Sequence, residues 1–422
     1  MNRAKGPFWY RARVEIRTVT LGFPDLQRSI HRITSWASSS LHSVELNLPA
    51  VSYATEAEPG DLHPKGSPSI HHDRAHLLFL DLVRAVAAQL VVAGHASILA
   101  FPEYVGRRNF FYIQSYAVVV FLVLSGYVIA RSVQRRLAEG TFTFAGYVKD
   151  RFARIFVPLL PLFPVVLLGD RVFLGASLRS SFVLVRHDPL TVVSNLFMLQ
   201  DNRVVALADQ WLDTSLLRRS LGSAAPWWSV AVEWWIYLAF GAVVALILRS
   251  TKHRLWILLL GLFALAGTVF RMTNEDVLAV AWLVGATFLW LDRTLARLPR
   301  YVWWVEGVTA FAILVHSLHK SPGATFSFSV VVSTGVLVFS LYRGINWSFL
   351  RVARPPIRFL AGYSYSLYLL HFSMLVWVRS AVPGFAGLPY IVAMIVAANL
   401  ASVGWWWLIE RHYPWVRERL GK

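Results

Sequence analysis

The chain has no cysteine among its 422 residues. That excludes disulfides, thiolate metal sites, iron–sulfur clusters and a cysteine nucleophile. Charge is scarce as well: Asp, Glu, Lys and Arg together make up only 15% of the chain, while 56% is hydrophobic and 18 Trp stand beside 27 Phe and 15 Tyr. With a mean hydropathy of +0.51, this composition excludes a soluble globule. Acidic residues are outnumbered 23 to 41 by Lys and Arg, for a net charge of +18. The basic excess lies in short connectors between apolar runs, where it sets membrane topology, so no nucleic-acid partner is expected.

Residues 1–76 lack any apolar run long enough to span a bilayer. They are polar, Ser-rich in the thirties and carry Pro and Gly near 59–67. A disordered or loosely structured leader is expected there, with FWYRARVEIR able to touch a membrane surface but no hydrophobic core of a signal peptide. From residue 77 onward ten apolar runs follow: 77–100, 112–131, 152–168, 226–249, 255–270, 277–291, 303–319, 325–342, 357–380 and 387–409. They predict an all-α, polytopic transmembrane bundle of about ten helices over 77–410, with a short tail at 411–422. The connector 169–225 contains TVVSNLFML, too short to span and expected to be re-entrant or to lie on the surface. Lys and Arg number six in 131–154, three in 249–254, three in 293–300, four in 343–358 and four in 411–422, against few in the alternate connectors. This asymmetry predicts that both termini are cytoplasmic. No internal repeat or inverted symmetry is visible.

The first run, LLFLDLVRAVAAQLVVAGHASILA, holds Asp81, Arg84 and His95 in an otherwise apolar segment. Each costs a few kcal/mol to bury, so such residues mark sites more often than they serve packing. Arg84 and His95 are eleven positions apart, which returns to within roughly 20° of the same helix face after about 16 Å of rise. Histidine suits proton abstraction, which makes His95 the catalytic candidate. Arg151 and Arg154, three apart at the mouth of the third run, can grip phosphates bidentately or simply supply topogenic charge. In PWWSVAVEWWIYL, Ser229, Glu233 and Tyr237 recur every four residues as one polar stripe, placing Glu233 at a depth matching His95 unless it is only interhelical glue. Ser364, Tyr368 and His371 share helical spacing in FLAGYSYSLYLLHFSML, either lining a substrate or bonded to neighbours. Ser125-Gly126 lies within the second run, where small residues favour close helix packing and no nucleophile elbow surrounds the serine. His316 and His319 share a face but lack a carboxylate, so no metal site is predicted. Asn346-Trp347-Ser348 matches a glycosylation pattern on the side expected to be cytoplasmic and is discounted.

Taken in order, LDLVRAVAAQLVVAGHA, VVVFLVLSGYVIA, RFARI, SNLFML, WWSVAVEWWIYL and GYSYSLYLLHF resemble the acyltransferase 3 family of integral membrane O-acyltransferases over residues 75–415. The family's arginine–histidine pattern falls on Arg84 and His95, its Arg-x-x-Arg on Arg151 and Arg154, and its tryptophan, serine and glutamate on Trp228, Ser229 and Glu233. Two departures stand out: Trp234 replaces a frequent second acid, and the last run ends in IERHYP, with Glu410 outside the usual pairing. The resemblance implies transfer of an acyl group, usually acetyl from acetyl-CoA, to a hydroxyl of an extracytoplasmic or lipid-linked glycan in a bacterial plasma membrane. On this expectation His95, Arg84 and Glu233 are the catalytic candidates, Arg151 and Arg154 the candidates for holding CoA, and Ser125, Ser229, Tyr237, Tyr368 and His371 the candidates for substrate contacts. A secondary transporter using the buried Arg, His and Glu as a gate or proton relay is the alternative from another class.

Overall fold

A computed structural model describes residues 68–104, 112–175, 185–216, 218–248, 253–269, 277–295, 297–321, 323–382 and 387–419. Most of the leader expected at 1–76 lies outside the described residues, as do Arg107, Arg108 and Arg271 of the alternate connectors. Among the described residues there is no strand. Long apolar sequences in lipid must satisfy their backbone groups internally, and the helix does so within one segment.

The helices are α1 (Pro68–Ala100), α2 (Ile113–Ala138), α3 (Phe144–Leu159), α4 (Leu162–Leu174), α5 (Pro189–Leu196), α6 (Arg203–Leu212), α7 (Trp227–Ile247) and α8 (Arg254–Val269). They continue with α9 (Leu278–Leu295), α10 (Arg300–Lys320), α11 (Phe328–Gly344), α12 (Arg354–Gly362), α13 (Ser364–Ala381), α14 (Leu388–Leu408) and α15 (Tyr413–Arg419). All ten apolar runs are helical. Among the described residues six spans are long and apolar enough to cross a membrane, or seven when α12 and α13, bent by 54°, count as one; α8, α9 and α11 are shorter apolar helices. The expected count of ten is therefore approximate in its spans, though right in its elements.

Helix α1 is the hub, packed against α2, α12, α13 and α14. Its buried side is rich in small residues, Ala85, Ala87, Ala88 and Ala96, which let neighbouring helices approach. The tightest crossing joins α2 to α9. A Cβ on Gly126 would sit 1.9 Å from the Trp282 carbonyl oxygen, and one on Gly285 1.9 Å from that of Val123. Only glycine fits at either place, so the small-residue reading of the second run holds for Gly126.

Helix α3 begins at Thr143, whose hydroxyl accepts from the Gly146 amide at 3.1 Å. Pro158 lies inside it and removes one donor from the ladder, and the chain breaks before α4. Side chains take up carbonyls along this stretch: Tyr365 donates to Ile155 O at 3.2 Å and Trp405 to Pro158 O at 3.0 Å. Among its described residues, the connector after α4 forms the short helices α5 and α6. Asp188 caps α5 and Asn202 caps α6, while Asn195 is fully buried, donating to Thr191 O and Arg219 O and accepting from the Leu221 amide. Asn346 spends its side chain as a cap, accepting from the Ser348 amide and hydroxyl at 3.1 and 2.7 Å.

Candidate active site

Five helices supply one polar interior. From α1 come Asp81 and Arg84, from α2 Ser125, from α3 Arg151 and Arg154, from α7 Ser229, Glu233 and Tyr237, and from α13 Ser364, Tyr365 and Tyr368. They line a chamber of about 210 Å³ whose remaining wall is apolar, including Phe121, Leu122 and Val230. Eight of the ten residues singled out in the sequence thus meet in one cavity: Arg84, Ser125, Arg151, Arg154, Ser229, Glu233, Tyr237 and Tyr368. Helical periodicity explains why this much was legible, since a polar stripe on a buried helix must face either a partner or water.

A second cavity, a vestibule of about 520 Å³, abuts the chamber and shares Arg84, Val128, Arg151 and Arg154 with it. Its other walls add Arg135, Arg136, Arg411 and Arg417, against the two acids Asp150 and Glu410. The arginines at the shared wall are not equivalent. Arg84 pairs with Asp81 at 2.8 Å, one turn back on the same helix. Arg154 pairs with Glu410 at 2.7 Å and lies over the rings of Tyr365 and Tyr413. Arg151 has no carboxylate partner among the described residues; it lies 5.8 Å from the Tyr147 ring centroid, and its buried Nε carries no hydrogen bond. The vestibule thus ends, at the chamber's mouth, on a guanidinium with no ion-pair partner among the described residues.

Glu410 was left without a role by sequence reasoning. Its side chain is 1% exposed, and besides Arg154 it accepts from the amide of Ser366 at 3.0 Å and from the Ser366 hydroxyl. The sequence signal was an acid at the end of the last apolar run, which only the fold connects to Arg154, 256 positions away. A second acid escaped notice because it follows the predicted end of a run. Asp170 is fully buried and accepts from His187 Nε2 at 2.9 Å, the Ser223 amide at 2.8 Å and Trp377 Nε1 at 2.7 Å. It ties the connector to α4 and α13.

Deeper in the chamber, Glu233 accepts from the Tyr237 hydroxyl, which also bonds Ser125 at 2.8 Å. The Tyr147 hydroxyl donates to the Tyr237 carbonyl at 3.1 Å and fixes that turn of α7. Ser229 bonds the Tyr368 hydroxyl, so α7 and α13 meet at this level. His371 lies three residues beyond Tyr368 and Glu233 four residues on the other side of Ser229, which separates the two along the helix axes by on the order of 10 Å.

The histidines stand apart from the chamber lining. His95 Nδ1 lies 3.0 Å from Val91 O and 3.2 Å from His371 Nε2, with the edge of Phe372 against its ring. The matching depth expected of His95 and Glu233 does not bring them into a hydrogen bond: His95 bonds His371, and Glu233 bonds Tyr237. Both histidines adjoin the chamber through Tyr368, whose ring centroid is 5.8 Å from that of His371.

A family model described as Acyltransferase domain matches residues 77–410, well over half of the chain. Protein 2 in picA locus, from Rhizobium radiobacter, is 39% identical over 80 residues, a stretch that covers 19% of this chain and 38% of that protein. The matched stretch thus spans less than half the length of that relative. No solved structure matches significantly.

Proposed function

The chain belongs to the acyltransferase domain family, and from that premise we propose that it moves an acetyl group from cytoplasmic acetyl-CoA to a hydroxyl of an extracytoplasmic or lipid-linked glycan. The observation that carries this reading is the shared wall of vestibule and chamber, where Arg84, Arg151 and Arg154 converge and Arg151 has no ion-pair partner among the described residues. A polyanionic donor suits the arginine-rich vestibule, and an extended thioester arm suits a narrow, mostly apolar chamber behind it.

In this reading Arg151 takes a donor phosphate directly, while Arg154 is held in place by Glu410. The acyl end of the arm passes Arg84 and the Glu233–Tyr237–Ser125 network toward Ser229 and Tyr368. His95 acts as the base. Its Nε2 takes the proton of the acceptor hydroxyl as that oxygen bonds the acyl carbon; the carbon–sulfur bond breaks, and the leaving thiolate takes the proton back. Glu233, bonded to Tyr237, serves the polar wall of the chamber rather than His95. In this reading the vestibule and both termini face the cytoplasm of a bacterial plasma membrane and the histidine end faces outward, an orientation that the excess of Lys and Arg in alternate connectors supports.

Purified protein given acetyl-CoA should slowly release free CoA, and His95→Ala should abolish that release while the protein stays folded. A wild-type protein that neither binds nor hydrolyses acetyl-CoA would sink the reading. Mass spectrometry of envelope glycans from a deletion strain identifies the acceptor as the glycan that loses an acyl mass; no loss from any glycan refutes that part.

A further inference from the structure

We propose that His371 is a positioning residue that fixes His95 in a single tautomer, with Nδ1–H bound to His371 and Nε2 carrying the free lone pair. The inference rests on the reading of His95 as the base and deepens it.

The argument is a count of donors and acceptors. His371 is fully buried, and its Nδ1 lies 2.9 Å from the Tyr368 carbonyl and 3.1 Å from that of Leu367. Carbonyls only accept, so this nitrogen carries the hydrogen, and the Nε2 of a neutral His371 is an acceptor. That acceptor faces His95 Nδ1 at 3.2 Å. The same His95 nitrogen faces another acceptor, Val91 O, at 3.0 Å. Two acceptors on one nitrogen require it to be the donor. By elimination the lone pair of His95 sits on Nε2, the one ring nitrogen of the pair with no hydrogen bond among the described residues.

The pair therefore has a direction. Backbone carbonyls of α13 orient His371, His371 orients His95, and His95 presents Nε2. When Nε2 takes the acceptor's proton, the Nδ1–H of the resulting imidazolium stays on His371 Nε2, which steadies the charge without needing a carboxylate. No proton passes onward, because the far nitrogen of His371 already carries a hydrogen bound to carbonyls that cannot take it. A histidine can therefore fill the place that an acid fills in most base–orienter pairs, and it does so without importing a charge into the membrane interior. This accounts for Glu233 being bonded elsewhere.

The test combines tautomer spectroscopy with kinetics on the full chain in nanodiscs. With 15N-histidine labelling, and the His95 signals found by difference against His95→Asn, the wild type should show a protonated Nδ1 and an unprotonated Nε2. His371→Leu should populate the other His95 tautomer and lower kcat for acyl transfer by about 10- to 100-fold, the range for a hydrogen bond to a group that becomes charged, with the donor KM within about twofold. His371→Gln, which places an acceptor oxygen near the position of Nε2, should recover most of both. A wild-type His95 protonated on Nε2 overturns the proposal even if every variant fails to fold. So does a folded His371→Leu with unchanged kcat, or a folded His371→Gln as slow as the leucine variant. If the tautomer is as stated but His95→Ala still transfers the acyl group, the assignment of His95 as base fails and the positioning by His371 stands.

Discussion

At the arginine end of the polar stripe, charge is met with charge at three arginines, though not at Arg151: Asp81 on Arg84, Glu410 on Arg154 and Asp150 on Arg136, beside a vestibule of about 520 Å³. At the histidine end, His95 and His371 are held by each other, by carbonyls and by the ring of Phe372, with no carboxylate in hydrogen-bonding contact among the described residues. The difference follows from the cost of ions in a medium of low dielectric. Guanidinium groups stay charged, so they need counter-charges and access to water; imidazoles donate and accept while neutral, so a pair can satisfy itself in a dry place. In the proposed function the first end receives the charged donor and the second handles the proton.

The sharpest way to break this comparison is to remove the base. His95→Ala should lower acyl transfer by about 10²- to 10⁴-fold and leave donor binding within about twofold; equal loss of donor binding would show that the two ends do not act separately. Next comes Arg151→Ala, for which donor affinity measured by calorimetry should fall about 10- to 100-fold, as for loss of a charge-assisted hydrogen bond. Arg154→Ala should cost less binding, because its guanidinium is already engaged by Glu410; a larger loss than that of Arg151→Ala would reverse the ranking. Glu410→Gln is expected to act chiefly on stability, lowering it by about 1–3 kcal/mol in a thermal melt, since the Ser366 hydrogen bonds survive while the ion pair does not. The smallest effect is that of salt. Raising it from about 0.05 to 0.5 M should weaken donor binding several-fold through screening at the vestibule and leave the turnover of saturated enzyme unchanged.

Much of the site was legible before any fold was known. The spacing in Ser229, Glu233 and Tyr237, and the arginine pair at 151 and 154, put side chains on the chamber because a helix carries residues four or three apart on one face. Depth is less legible. Distances to the ends of apolar runs put Glu233 level with His95, whereas hydrogen bonding in the structure joins Glu233 to Tyr237 and His95 to His371; helix ends are soft by a turn, so such distances do not fix a partner. Asp170 was passed over for a related reason, as it stands just beyond a run judged to end at 168, although it is fully buried.

The sequence by itself determined that this is a helical membrane protein, that α1 carries a cation and an imidazole on one side, and that basic residues gather at one mouth. These are properties of composition and of a fixed 3.6-residue period, and they need no partner to be read. Only the tertiary structure decided which ionisable groups meet: Glu410 with Arg154 across 256 positions, and His371 with His95 across 276. Pairings of that kind depend on the rotation and axial shift of one helix against another. Those are set by close crossings such as Gly126 on Trp282 and by the break at Pro158, where the packing of the whole bundle chooses among faces that local sequence leaves equivalent.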